Sequence, residues 1–539
     1  MVVVKVQSFG GISPKTPARY LQDSQAQIAV NCPVFSGSIQ PLTDVGGSLL
    51  TLPKQAIPRT IYRFGQDTIS DTQYWFHWSV DVDVCRSQIA GDTSEWTFFT
   101  GDGPPKATYA ALATSGSDYP AVARRLGLPA PTSAVTTTAG GTPDATDTPE
   151  TRVYTFTWVS KEAGYEVESA PAPASVSVDV TSNQTVTLTG FPAIPSGDYN
   201  VTHKRVYRSV NGVFLFVGET TAAPASYVDN VAADALGEEI PTLYWAQPPE
   251  DLEGLTNLPN GMMAGFVGRD VYFAEPYRPH AWPETYIQTL DYPVVGLGRM
   301  DTTLAVLTTG VPYLMQGSHP DSVAVVKSDL EQACVSKRSI VSFGNSVVYA
   351  APDGLMMLSS GGSSIITENL FSYKQWQQYF APASIHAYAQ NNQYIGFYDN
   401  GTTRGGFIFD VTSRQFILHD IYATAGYRDL QRDKLFLAFE DRSLKTWFEG
   451  SAKAYTWQSK KFTMPQIMGF SCAQLEAESY PMVLKVYADG VLIHSQTVTS
   501  RNPFRLPPKV GRDWELRIEG DREVFSVSLA TSMTELAGG

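Results

Sequence analysis

The feature that most constrains this chain is a two-strand unit that recurs after Ala246. Apolar strands begin near Val271, Leu304, Val347, Tyr394 and Leu435, and each is followed by a Gly- or Asp-containing turn and a second strand. The starts are separated by 33, 43, 47 and 41 residues, which brackets the roughly 40 to 50 residues of a four-stranded propeller blade. A hairpin of this kind cannot bury its apolar face alone, so each unit needs the surface of the next. The expectation is an all-β chain whose main body, residues 247–456, is a β-propeller. Tandem hairpins of an open sheet would give the same spacing.

With 539 residues the chain is too long for one ordinary core, and two to four domains are expected. Only 17% of residues are charged, while 43 Gly and 35 Pro supply turns, which favours β architecture over helical bundles. Residues 1–47 read as an extended N-terminal assembly segment, with a strap on the chain's own propeller as the alternative. Residues 48–125 read as a first blade region, with a strand over 74–84 and a partner over 95–100. Val80, Val82 and Val84 alternate there with Asp81 and Asp83, which predicts a solvated strand face for the two carboxylates. Residues 126–150, rich in Pro, Thr, Ala and Gly, read as a linker. Six or seven short strands over 151–246 look like an inserted immunoglobulin or fibronectin-type β-sandwich. A small C-terminal β region, 457–539, follows, with one hairpin turning at Ala488 to Gly490 and a second strand pair expected across Asp521 and Arg522. A helix is predicted over Glu368 to Phe380, where Leu370, Tyr373, Trp376 and Phe380 share one face and Pro382 is a stop.

No catalytic constellation stands out in the sequence. There is no phosphate-binding GxxxxGK[ST], and GFSCA at 469 lacks the final glycine of a nucleophile elbow. The seven histidines are dispersed. Cys32, Cys85, Cys334 and Cys472 lie far apart without a C-x-x-C pair, so free thiols are expected. Trp75, Phe76, Trp78, Trp96, Phe98 and Phe99 are expected as core and cross-strand packing rather than a ligand platform. MVVVKV lacks a long apolar stretch and a cleavage site, and no apolar run approaches a membrane span, so a soluble, non-secreted chain is expected. No cofactor or metal is implied, and the net charge of −14 argues against a tight duplex binder.

One stretch stands apart from this pattern. FGGISPKTPARYLQDSQAQIAVNC, followed by PVFSGSIQPL, resembles the N-terminal signature of tail nozzle (tail tubular protein B-like) proteins of short-tailed bacteriophages. The matching positions are Gly10, Gly11, Ile12, Ser13, Pro17, Arg19, Asp23, Gln27, Asn31 and Pro41. The closing WELRIEGDREVFSVSLATSMTEL is similar to the last strands of such tail proteins. The chain is shorter than the long members of that family. The resemblance implies a non-enzymatic virion protein, made in the host cytoplasm and resident in the tail. It implies a homo-oligomeric ring, six copies, around the DNA exit channel. Its partners would be the portal-adaptor protein, tail fibres or other tail proteins, and genomic DNA passing without sequence-specific binding. The rival readings are a receptor- or glycan-binding tail protein and a propeller-type polysaccharide hydrolase.

Overall fold

The computed structural model describes residues 3–65 and 70–537, which are almost entirely β. Seven antiparallel sheets, here A to G in chain order, make up the main body. Sheet A pairs Thr60–Arg63 with Trp75–Trp78. Sheet B runs from Asp83–Arg86 through Thr97–Thr100 and Lys106–Thr108 to Arg124–Arg125. Sheets C, D and E begin with Glu253–Asn257, Val294–Met300 and Val341–Ser342, and each has four strands. Sheet F comprises His386–Gln390, Gln393–Asp399, Arg404–Asp410 and Phe416–His419. Sheet G contains Ala425–Asp429, Lys434–Ala438 and Ser443–Thr446, and takes its fourth strand, Leu50–Thr51, from the front of the chain.

Apolar clusters join each sheet to the next from B to G. The circuit then closes. Phe436 and Leu444 of G pack with Ile61 and Trp75 of A, and Phe76 and Trp78 of A pack with Val82 and Phe99 beside B. The five recurring units after Ala246 fall one each into sheets C to G. The expected strand over 74–84 divides instead. Its first half belongs to A and its second to B, so Trp75 lies in A while Trp96 directly precedes a strand of B. All six aromatics of that region are buried, as core packing requires.

Between B and C the chain leaves to build a separate body. Its four-stranded sheet, Tyr154–Glu162 with Tyr165–Glu168, His203–Val210 and Val213–Thr221, shares one apolar cluster with Thr185–Thr189 and its neighbours. The stretch read as a linker contributes to it. Thr136–Gly140 is a strand hydrogen-bonded to Thr185–Thr189, and Leu128 and Val135 are core residues. A run of β-branched threonines suits an edge strand, which is why a polar composition does not exclude one here.

The C-terminal region is a two-sheet body completed from the other end of the chain. Val3–Val6 pairs with Val524–Ala530. Ala26–Val30 lies between Phe416–His419 of sheet F, which it parallels, and Tyr455–Ser459, to which it is antiparallel. One strand therefore fuses sheet F to the terminal sheet. The pair expected across Asp521 and Arg522 does not form. Gly511–Gly520 joins Met482–Ala488 while Val524–Ala530 joins Cys472–Ala477, because the chain crosses there from one layer to the other. The hairpin at Ala488 to Gly490 is present.

The predicted helix forms over Tyr373–Phe380. It starts five residues later than expected because Ser372 caps it in a reciprocal box with Gln375, and it stops at left-handed Ala381 before Pro382. All four cysteines are free and buried; burial pushes the Cys85 and Cys334 thiols up to about 12, so they are inert at neutral pH. Among the described residues, no helix is long and apolar enough to cross a membrane.

Candidate functional site

Two regions gather the side chains that carry chemistry. The first is the N-terminal segment, which the structure lays along the seam between sheet F and the terminal body. Gly10 donates its N–H to Ser24 O at 2.6 Å and accepts from Trp457 Nε1 at 3.1 Å. Gly11 N–H meets Gln415 Oε1 at 2.7 Å, Ile12 N–H meets Phe416 O at 2.9 Å, and Ser13 Oγ donates to Asn369 O at 3.3 Å. Pro17 O accepts from Tyr20 N–H, closing a turn. Beyond it, Arg19 pairs with Asp513 at 2.6 Å and Asp23 with Lys460 at 3.0 Å. Gln27 Nε2 donates to both Ser459 O and Glu515 Oε2. Asn31, at φ 57°, donates to Ala454 O and accepts from Asp420 N–H, using the left-handed tolerance of Asn. Pro41 is half-buried next to fully buried Leu42.

The glycine at position 11 is required by close approach. A Cβ there would lie 2.2 Å from Phe416 O, a backbone atom that cannot move without breaking the sheet. Gly11→Ala is therefore expected to cost about 3 kcal/mol, the upper end of overpacking, and to free residues 3–42 for early proteolysis. A urea midpoint within experimental error of wild type would contradict this.

The second region is the axis of the seven-sheet circuit, where the first strands of the sheets neighbour one another. At the end where these strands start, Lys337 Nζ lies 2.6 Å from Asp83 and 3.6 Å from Asp81. Asp83 also accepts the Gly254 N–H at 2.9 Å. Burial pushes the Asp83 carboxyl above its usual range, against the pull of the Lys337 ammonium. These carboxylates are thus not the free, solvated strand face expected from their alternation. The Arg338 guanidinium donates to the carbonyls of Arg59 and Thr424, which ties sheets A and G to the segment before E.

At the opposite end a cleft of about 680 Å³ opens between sheets D, E, F and G. Arg299 and Arg428, near the ends of their inner strands, and Asn391 and Asn392, in the turn after a third, line it. Ile340, Ala387 and Tyr388 line both ends, so the two openings lie on one axis. Five cationic side chains, Arg59, Arg299, Lys337, Arg338 and Arg428, face three carboxylates, Asp81, Asp83 and Asp301. A locally cationic axis in a chain of net charge −14 focuses field on small anions. No sequence motif marks Arg299 or Arg428, because four separate sheets must assemble before they meet.

Among the described residues, no three His, Cys, Asp or Glu side chains are grouped to hold a metal ion. No protein-family model and no curated protein matches the chain. Among solved structures, it is similar to the Neurospora crassa Pan2 WD40 domain at 9% identity, over 50% of this chain and 83% of that one, with a TM-score of 0.26.

Proposed function

We propose that this protein is a structural subunit of the tail of a short-tailed bacteriophage, a nozzle or hub protein that acts by assembling. Six copies would surround the DNA exit channel beneath the portal-adaptor, retain the genome, and let it pass without sequence-specific binding. In this reading the seven-sheet circuit is a β-propeller, the inserted body an immunoglobulin or fibronectin-like sandwich available to fibres or other tail proteins, and the chain is not an enzyme.

The observation that carries the reading is the use made of the segment bearing the nozzle-like signature. Its residues strap the sheet circuit to the terminal body, which makes one stiff unit out of two. A wall around moving DNA needs that stiffness. A net charge of −14 also suits a conduit that should not hold phosphates. At the crest of the strap the Arg19 and Asp23 side chains remain 60% and 79% exposed, and Tyr20 is 79% exposed. A large exposed Tyr flanked by charges has the composition of an interface anchor.

Electron microscopy of the purified protein and of phage particles tests this directly. The expected image is six copies around an axial channel. The Arg19→Ala/Tyr20→Ala variant should lose the ring while its melting temperature stays within about 2 °C of wild type, since surface changes of this kind move stability little. A protein that stays monomeric at high concentration and contributes no ring to any particle would overturn the reading.

A further inference from the structure

We propose that the cleft between sheets D, E, F and G binds a small acidic sugar, a pyranose carrying a carboxylate. The inference goes beyond the assembly reading and does not depend on it.

Its volume, about 680 Å³, falls among those of small-molecule sites and far exceeds what a lone phosphate fills. Arg299 is exposed there, and among the described residues its guanidinium makes one long contact, 3.4 Å to Asp301 O, and no carboxylate pair. An unpaired planar guanidinium matches a carboxylate in bidentate fashion. Asn391 and Asn392 make no side-chain hydrogen bond among the described residues. Their amides offer paired donors and acceptors, the complement of vicinal hydroxyls. Both sit at positive φ, 52° and 59°, in a two-residue turn that glycine would serve equally well. Asparagine supplies the turn and also the amides. Phe343 and Tyr388, both partly buried, line the same cleft, and their rings give the apolar wall against which the C–H face of a sugar packs.

The ligand's carboxylate would therefore meet Arg299, its hydroxyls the two asparagines, and its ring the aromatic wall. Arg428 also lines the cleft, its charge offset by Asp433, and the Asp301 carboxylate lies in the same lining, so the ligand's carboxylate is left to Arg299.

Calorimetric and NMR titration with glucuronate, galacturonate, N-acetylneuraminate, glucose and inorganic phosphate tests the assignment. At least one acidic sugar should bind at millimolar concentration or below, with glucose and phosphate at least about tenfold weaker. Arg299→Gln and the Asn391→Gly/Asn392→Gly variant should each weaken that binding about tenfold or more while the melting temperature is retained. Binding of no acidic sugar, equal binding of glucose or phosphate, or unchanged binding in Arg299→Gln would overturn the proposal. Each of these readouts is separate from ring formation, so either proposal can fail without the other.

Discussion

At pH 5 the protein should unfold at a much lower urea concentration than at pH 7. His280, His386 and His419 are almost wholly buried, and burial depresses each imidazole to about 3. His77, also buried, is depressed to about 4. In the unfolded chain the same groups titrate near 6.5. Below that pH the unfolded state binds protons that the folded state refuses, so stability is full above about 6.5 and is lost as pH falls toward the folded values. Each such imidazole costs about 1.4 kcal/mol per pH unit. Three of them between pH 6.5 and 5 cost about 6 kcal/mol, comparable with the whole stability of a typical domain. Ordinary carboxylates titrate near about 3.9 to 4.3, so the histidines dominate the slope in this window, while Asp83, raised by burial, acts with the opposite sign. Urea midpoints measured at pH 7, 6 and 5 check the slope; a flat profile would show that the buried imidazoles protonate in place.

The second large effect is expected inside the inserted body. Asp229 is fully buried and accepts from Arg208 Nη1 at 2.8 Å, Tyr154 Oη at 2.7 Å and the Val231 N–H at 2.9 Å. Arg208 is itself 1% exposed on its side chain. Removing the carboxylate with Asp229→Ala strands a guanidinium in the interior, which costs about 3–5 kcal/mol. The damage should be local: an early melting step and proteolysis confined to 128–240, with the sheet circuit melting as before. Adding Arg208→Met should recover part of the loss, because a buried pair replaced by apolar groups costs less than a pair broken on one side. A loss below 1 kcal/mol in Asp229→Ala would mean that water reaches Arg208.

Much of the architecture was legible because it is local. Period-two alternation between turns marked the five units after Ala246, and Leu370, Tyr373, Trp376 and Phe380 with the stop at Pro382 marked the single predicted helix, though not its start at Tyr373. The aromatic group from Trp75 to Phe99 is core packing as expected, although both faces of its strands are buried rather than one. What escaped was pairing over long distances in the chain. Leu50–Thr51 completes sheet G beside Ser443–Thr446, and nothing in LT itself says so. Thr136–Gly140 carries too few apolar residues to announce a strand, and only its pairing with Thr185–Thr189 makes it one. The Asp81 and Asp83 pair read as solvated because its partner, Lys337, is 254 residues from Asp83.

By itself, then, the sequence determined the element type and the repeat that divides the main body, and it led to the expectation of free cysteines. Element type depends on residues within one or two turns of each other, and the repeat on turn signals at recurring spacing. Only the tertiary structure decided that the N-terminal strands complete the C-terminal body, that the circuit of seven sheets closes, and that Arg299, Asn391, Asn392 and Arg428 surround one cleft. Backbone donors at a sheet edge accept any strand of suitable pattern, so the choice among partners falls to burial summed over the whole fold.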